Sequence, residues 1–154
     1  MKNLRIVFLT FSLTYCGSLL FAQTITLTGS PSFTISSTNV LAGNNLDTML
    51  ETSNSITIDL SGTKNDWYTQ VNKSDISWNG TVKIWVRRTG DGTGGGGSNI
   101  SGGTTYQEIT NTAANFFSGR KDRSNIPIQY KITGMNVSIN ATTNTTTITH
   151  TVYD

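Results

Sequence analysis

The sequence predicts an all-β protein, an antiparallel immunoglobulin-like β-sandwich of about seven to nine strands behind a cleaved leader. Three observations carry that expectation. Apolar and polar residues alternate with period two in segment after segment, the pattern of strands with one dry and one wet face. The separators are rich in Gly, Asn, Ser and Asp, which turns select for their backbone freedom and local hydrogen bonding. No helical spacing recurs along the chain.

Residues 1–22 read as a secretory signal. "MKNLR" supplies a positive start, "IVFLTFSLTYCGSLLFA" an apolar run, and Ala22 a small residue before Gln23. The run is interrupted by Thr, Ser, Tyr and Gly and falls short of the roughly 20 apolar residues of a membrane span. Tyr15 stands before Cys16, where a lipid-attachment site needs a small residue. The expectation is therefore an exported chain, extracellular, on the cell surface or in the periplasm, with no membrane span after cleavage. Residues 23–154 are then one domain, enough to bury roughly two-thirds of the unfolded surface without disulfide staples.

The strands follow in order. Ile25 and Leu27 alternate with threonines in "TITLT", and Phe33 and Ile35 do so in "FTIS". "NLDTMLE" places Leu46, Met49 and Leu50 at helical spacing and reads as a short loop-packing turn. Ile56, Ile58 and Leu60 share a face in "SITIDL"; Trp67, Thr69 and Val71 do so in "WYTQV", and Val82, Ile84 and Val86 in "TVKIWV". "GDGTGGGGSNISGG", residues 90–103, reads as a long mobile hairpin loop in which glycine is tolerated because nothing packs on it. "NTAANFF" reads as a turn of helix before Phe116 and Phe117, and "GRKDR", residues 119–123, as a charged turn. Ile126, Ile128, Tyr130 and Ile132 alternate in "IPIQYKI", where Pro127 implies a strand start or a sheet edge, since it lacks a ladder donor. Met135, Val137 and Ile139 follow, then Ile148, His150 and Val152 in "TTTITHTVY".

Composition excludes several function classes. Loss of Lys2 and Arg5 with the leader leaves as many basic as acidic residues, so no clustered basic face argues for nucleic acid. Cys16, the only cysteine, leaves with it. Gly90, Gly92 and Gly95 satisfy a G-x-G-x-x-G spacing, but "GGSNISGGTTY" is too poor a helix former to supply the amides that hold a pyrophosphate. No Lys-Ser/Thr follows the glycines, as a phosphate-binding P-loop requires. Asp91 is the only acid between Asp75 and Glu108, too few oxygen ligands for calcium. No cofactor and no metal are expected.

Nor does a catalytic set emerge. His150 is the only histidine and lies in the inward register of its strand, with no serine or cysteine nucleophile site beside it. Ser98 and Ser101 lack the G-x-S-x-G setting. The chain is not expected to be an enzyme.

Two surfaces remain. Period two sets Lys83, Trp85 and Arg87 together on the wet side of "TVKIWV"; with Tyr68 and Trp78 they form a candidate ligand or partner surface, in one version a sugar-stacking platform. The second is made of strand ends, since Ile25, Leu27, Ile148, Val152 and Tyr153 lie in segments suited to strand exchange.

The stretches "SITIDLSGTKNDWYTQVNKSDISW", "VRRTGDGTGGG", "SGGTTYQEIT", "FFSGRKDRSNIPIQYKITG" and "TTTITHTVYD" make the chain similar to small exported β-sandwich proteins of Bacteroidetes-type bacteria. More distantly it resembles pilin-like subunits of the chaperone-usher and spore-coat-U kind. The resemblance implies surface assembly or adhesion, often by lending a strand to a neighbour, and the alternation of Ile148, His150 and Val152 before Tyr153 is the feature that matches. The pilin disulfide is absent, and Ala141 occupies a position where pilins often have glycine. The expected function is a non-catalytic surface structural or adhesive subunit, pairing with itself or other surface proteins; the alternative is a carbohydrate-binding module.

Overall fold

Each alternating segment that falls wholly within the described residues forms a strand, because one face of each has a core to cover. The computed structural model describes residues 22–31, 33, 45–46, 50–51, 56–63, 65–77, 80–95, 99–136 and 145–154. The expected leader, apart from Ala22, lies outside them, as do Ile35, Met49, Trp78, Val137, Ile139 and Ala141.

The strands are β1 (Thr24–Thr28), β2 (Asn45–Leu46), β3 (Leu50–Glu51), β4 (Ile56–Ser61), β5 (Asp66–Ser77), β6 (Lys83–Arg88), β7 (Thr93–Gly94), β8 (Ser101–Gly102), β9 (Gln107–Glu108), β10 (Ala114–Arg120), β11 (Arg123–Thr133), β12 (Met135–Asn136) and β13 (Thr145–Tyr153). Among the described residues they make an all-β antiparallel sandwich. One sheet runs β1-β4-β11-β6-β9, with β3 and β7 also on β11; the other runs β13-β5-β10-β8; β12 and β2 form a small pair. Ile56, Ile58 and Leu60, Ile84 and Val86, and Ile126, Ile128 and Tyr130 point inward from the first sheet. Trp67, Val71, Phe116 and Phe117 meet them from the second. β1 and β13 approach each other along one flank, each at the end of its own sheet.

Four expectations are corrected. "NLDTMLE" is not a helical turn where it is described: Leu46 pairs with Met135 and Leu50 with Ile132. "NTAANFF" supplies the start of β10, and its two phenylalanines are both buried because a bulge between Asn115 and Ser118 sets Phe116 and Phe117 opposite the single residue Thr69.

Pro127 is in the middle of β11, the central strand, paired with Thr57 of β4. The missing donor does no harm there. Its carbonyl accepts from the Thr89 amide at 2.9 Å, so its nitrogen faces the gap between β6 and β7, where the chain leaves the sheet. Gly90 fills that gap, since a Cβ on it would come within 2.9 Å of the proline ring.

Where it is described, the glycine-rich segment is packed rather than open. Its first leg forms β7 on β11 and its second forms β8 on β10, so its two described legs lie on different sheets. Arg88, only 4% exposed, holds both legs. Its guanidinium donates to the carbonyls of Gly90 (3.0 Å), Ile100 (3.3 Å) and Gly102 (2.9 Å) and pairs with Asp91, while its amide donates to Gly103. Gly95, at φ +71°, lies on the guanidinium of buried Arg123, where any Cβ would collide. Glycine is required at Gly95 because its backbone is left-handed and the Arg123 side chain occupies the space a Cβ would need.

The segment "GRKDR" does turn, with Lys121 at φ 55°, but Arg123 at its end is buried. Asp122 accepts from the Thr63 hydroxyl and amide, each at 2.8 Å, and these bonds hold its carboxyl below the usual carboxylate range.

Candidate functional site

Lys83, Trp85 and Arg87 share the outer face of β6, as alternation requires, because Val82, Ile84 and Val86 take the inner one. The neighbouring β11 sets Trp85 opposite Lys131 and Arg87 opposite Gln129. Tyr106, unremarked in the sequence, joins them from the loop before β9. The Arg87 guanidinium lies 4.5 Å from the centre of the Tyr106 ring and Lys131 Nζ lies 4.2 Å from it; Lys131 is also 5.1 Å from the Trp85 ring. Gln129 Oε1 accepts from Arg87 Nη2 at 2.7 Å, Arg87 Nε at 3.0 Å and the Tyr106 hydroxyl at 3.1 Å. Trp85 Nε1 donates to Thr133 Oγ1 at 3.0 Å, and Lys83 pairs with Glu108 at 3.1 Å. A groove of about 500 Å³, lined by Arg87, Arg88, Thr89, Gly90, Asp91, Thr104 and Gln129, borders this cluster.

The fold does not gather all the predicted surface residues. Tyr68 is on the outer face of β5, in the other sheet, with Trp67 and Thr69 buried on either side of it in sequence. It therefore looks away from Trp85, across the thickness of the sandwich, and its ring stacks on that of Tyr153, centroids 5.6 Å apart. Trp78 lies outside the described residues. Only the pairing of β6 with β11 on one side and β9 on the other could have revealed Lys131 as a neighbour of Trp85 and Tyr106 as a neighbour of Arg87.

The strand-exchange candidates are split between two strands that end their sheets among the described residues. Ile25 and Leu27 pair in register with Leu60 and Ile58 of their own chain; at the sheet's end Leu27 stays 42% exposed. Ile148, Val152 and Tyr153 belong to β13, which pairs with β5 without interruption from Thr146 to Tyr153. On its other side β13 has no partner among the described residues. The outward residues of this strand are Thr147, Thr149, Thr151 and Tyr153; the Tyr153 hydroxyl donates to Asn115 at 2.9 Å. An apolar groove of about 290 Å³, lined by Pro31, Phe33, Tyr130, Ile132 and Ile148 among others, opens beside the start of β13.

His150 points inward from β13. Its Nε2 is 2.8 Å from the Tyr130 hydroxyl, its ring packs near Phe116, and Nδ1 is shut from solvent with no hydrogen-bond partner among the described residues. Burial pushes its pKa down to about 4. The imidazole is thus neutral and enclosed, in a setting of packing rather than proton transfer.

Among the described residues no cluster of His, Cys, Asp and Glu could hold a metal ion, and no helix is long and apolar enough to cross a membrane. Compared with known protein families, with curated proteins and with solved structures, the chain finds no match in any of the three.

Proposed function

We propose that this protein is an exported, non-catalytic subunit of the cell surface, structural or adhesive, which associates with further copies of itself through β13. The free edge of that strand carries the reading: nine residues with no Pro, Lys, Arg, Asp or Glu, unpaired on the side away from β5 among the described residues. Natural sheets blunt such edges with charge, proline or bulges, because a row of open donors and acceptors recruits another strand. Nothing of the kind protects the run from Thr146 to Tyr153. An added strand gains main-chain hydrogen bonds and can place an apolar side chain in the groove beside Ile148. The secretory pattern of residues 1–22 and the resemblance to pilin-like subunits agree with this reading.

Sedimentation of residues 23–154 over a range of concentrations tests it. Reversible association is expected, and Thr147→Lys with Thr151→Lys, on the outward face and clear of the core, is expected to return the monomer. A monomer at every concentration refutes the reading, as does association that ignores the two lysines. The alternative of a sugar-stacking platform built from Trp85, Tyr68 and Trp78 is less favoured, since Tyr68 faces the opposite way and Lys131 already lies near the Trp85 ring.

A further inference from the structure

We infer that the outer face of β6 and β11 binds an acidic polysaccharide, a polymer of carboxylated sugars, with Arg87 and Lys131 as its anion-binding residues. This site is separate from the β13 edge and does not depend on assembly.

The charges on this face are unevenly matched. Lys83 has Glu108, but Arg87 and Lys131 have no carboxylate partner among the described residues. Arg87 spends Nε and Nη2 on one neutral acceptor, Gln129 Oε1, so Nη1 has no protein acceptor among the described residues. Among the described residues Lys131 makes only ring contacts, with Trp85 and Tyr106, and its ammonium hydrogens have no acceptor there. Both cations lie against the same tyrosine ring, so this patch concentrates positive charge that a bound anion would offset.

Geometry selects the kind of anion. The groove of about 500 Å³ begins at Arg87 and carries polar groups suited to hydroxyls, including Thr89, Thr104, Gln129 and Asp91. Arg88 lines it too, but its donors are already taken by Gly90, Ile100, Gly102 and Asp91, so it shapes the groove without offering a free bond. A chain leaving the groove past Arg87 crosses Tyr106 and reaches Lys131. That path suits a ring-built polymer with repeated carboxylates: the open Nη1 of Arg87, a point charge from Lys131, an aromatic ring between. A phosphodiester chain fits less well, because two cations give few of the phosphate contacts on which nucleic-acid binding relies.

Intrinsic tryptophan fluorescence of residues 23–154, titrated with polygalacturonate, tests the inference. Saturable binding that weakens as salt rises is expected, with no binding of a neutral polymer such as dextran. Arg87→Gln and Lys131→Gln should each weaken it about tenfold, the order of one lost charge-assisted hydrogen bond. Arg120→Gln, which removes an exposed cation from β10 in the other sheet, should leave it unchanged, and far-UV circular dichroism of all three variants should match the parent. A sulfated polymer at low salt separates carboxylate recognition from bare charge attraction. Equal affinity for the sulfated polymer, equal affinity for dextran, no binding at all, or equal losses for all three variants each overturn the inference. None of these results bears on the sedimentation behaviour, so the two proposals fail separately.

Discussion

Thr69 sits in the core with its hydroxyl at the bulge of β10, accepting from the Phe117 amide at 3.2 Å and donating to the Phe117 carbonyl at 2.8 Å. It does there what the interrupted ladder cannot. Thr69→Val keeps the shape and removes both bonds, and is expected to lower stability in urea by about 1–3 kcal/mol, the cost of buried groups left unpaired; Thr69→Ser should recover most of it. Gly119 has a comparable constraint, since a Cβ would stand 2.5 Å from Trp67 Cζ2, in a cross-strand pair where the indole covers the glycine. Gly119→Ala should cost about 1–3 kcal/mol by overpacking, read from the shift of the denaturation midpoint. His150 gives a pH signature. Its folded pKa of about 4 lies below the ordinary 6.5, so the unfolded chain binds more protons between those values. Stability is full above pH 6.5 and falls as pH drops towards 4, by about 3 kcal/mol in all. Phe116, Tyr130 and the paired Val71 present no charge to offset it. Urea unfolding at steps across this range should show that slope in the parent and lose it in His150→Gln. The sequence showed that Thr69 and His150 face inward; the bulge and the tyrosine that give them partners come from strands far along the chain.

At the scale of the element, residues 90–103 depend on arginines at two distant positions. Arg88 precedes the segment and grips both its legs, while Arg123 lies beneath Gly95. Arg88→Met retains bulk but deprives three carbonyls and Asp91 of their donor, and is expected to cost about 3 kcal/mol. Amide exchange should accelerate first at Gly103, which sits beside the lost contacts, and in β8, ahead of β4 or β11. Uniform protection across the loop in that variant would show that Arg88 does not hold it. A run of four glycines invites a reading of slack, because composition alone cannot tell a glycine that nothing touches from one that nothing else fits. Pro127 teaches the same lesson from the other side: its ring is harmless in a central strand only because Gly90, distant in sequence, leaves it room.

At the scale of the whole molecule, the described residues form one core cluster reaching from sheet to sheet, with Trp67 and Tyr130 among its fully buried side chains. Tryptophan fluorescence and far-UV circular dichroism should therefore fall together in a single urea transition. Separate transitions would mean that the two sheets melt independently. The outer faces differ, one carrying cations on aromatic rings and the other threonine, asparagine, glutamine and stacked tyrosines. Neither the sorting of Trp85 from Tyr68 nor the company of Tyr106 and Lys131 was legible beforehand. By itself the sequence determined that this is a β protein and which side of each long strand is dry, because alternation is a local property of extended backbone that every strand expresses without its neighbours. Only the tertiary structure decided which strands are neighbours, where the sheets end, and which side chains press on the glycines. Those facts rest on contacts between residues far apart in sequence, and a pattern with a period of two is the same whichever partner a strand finds.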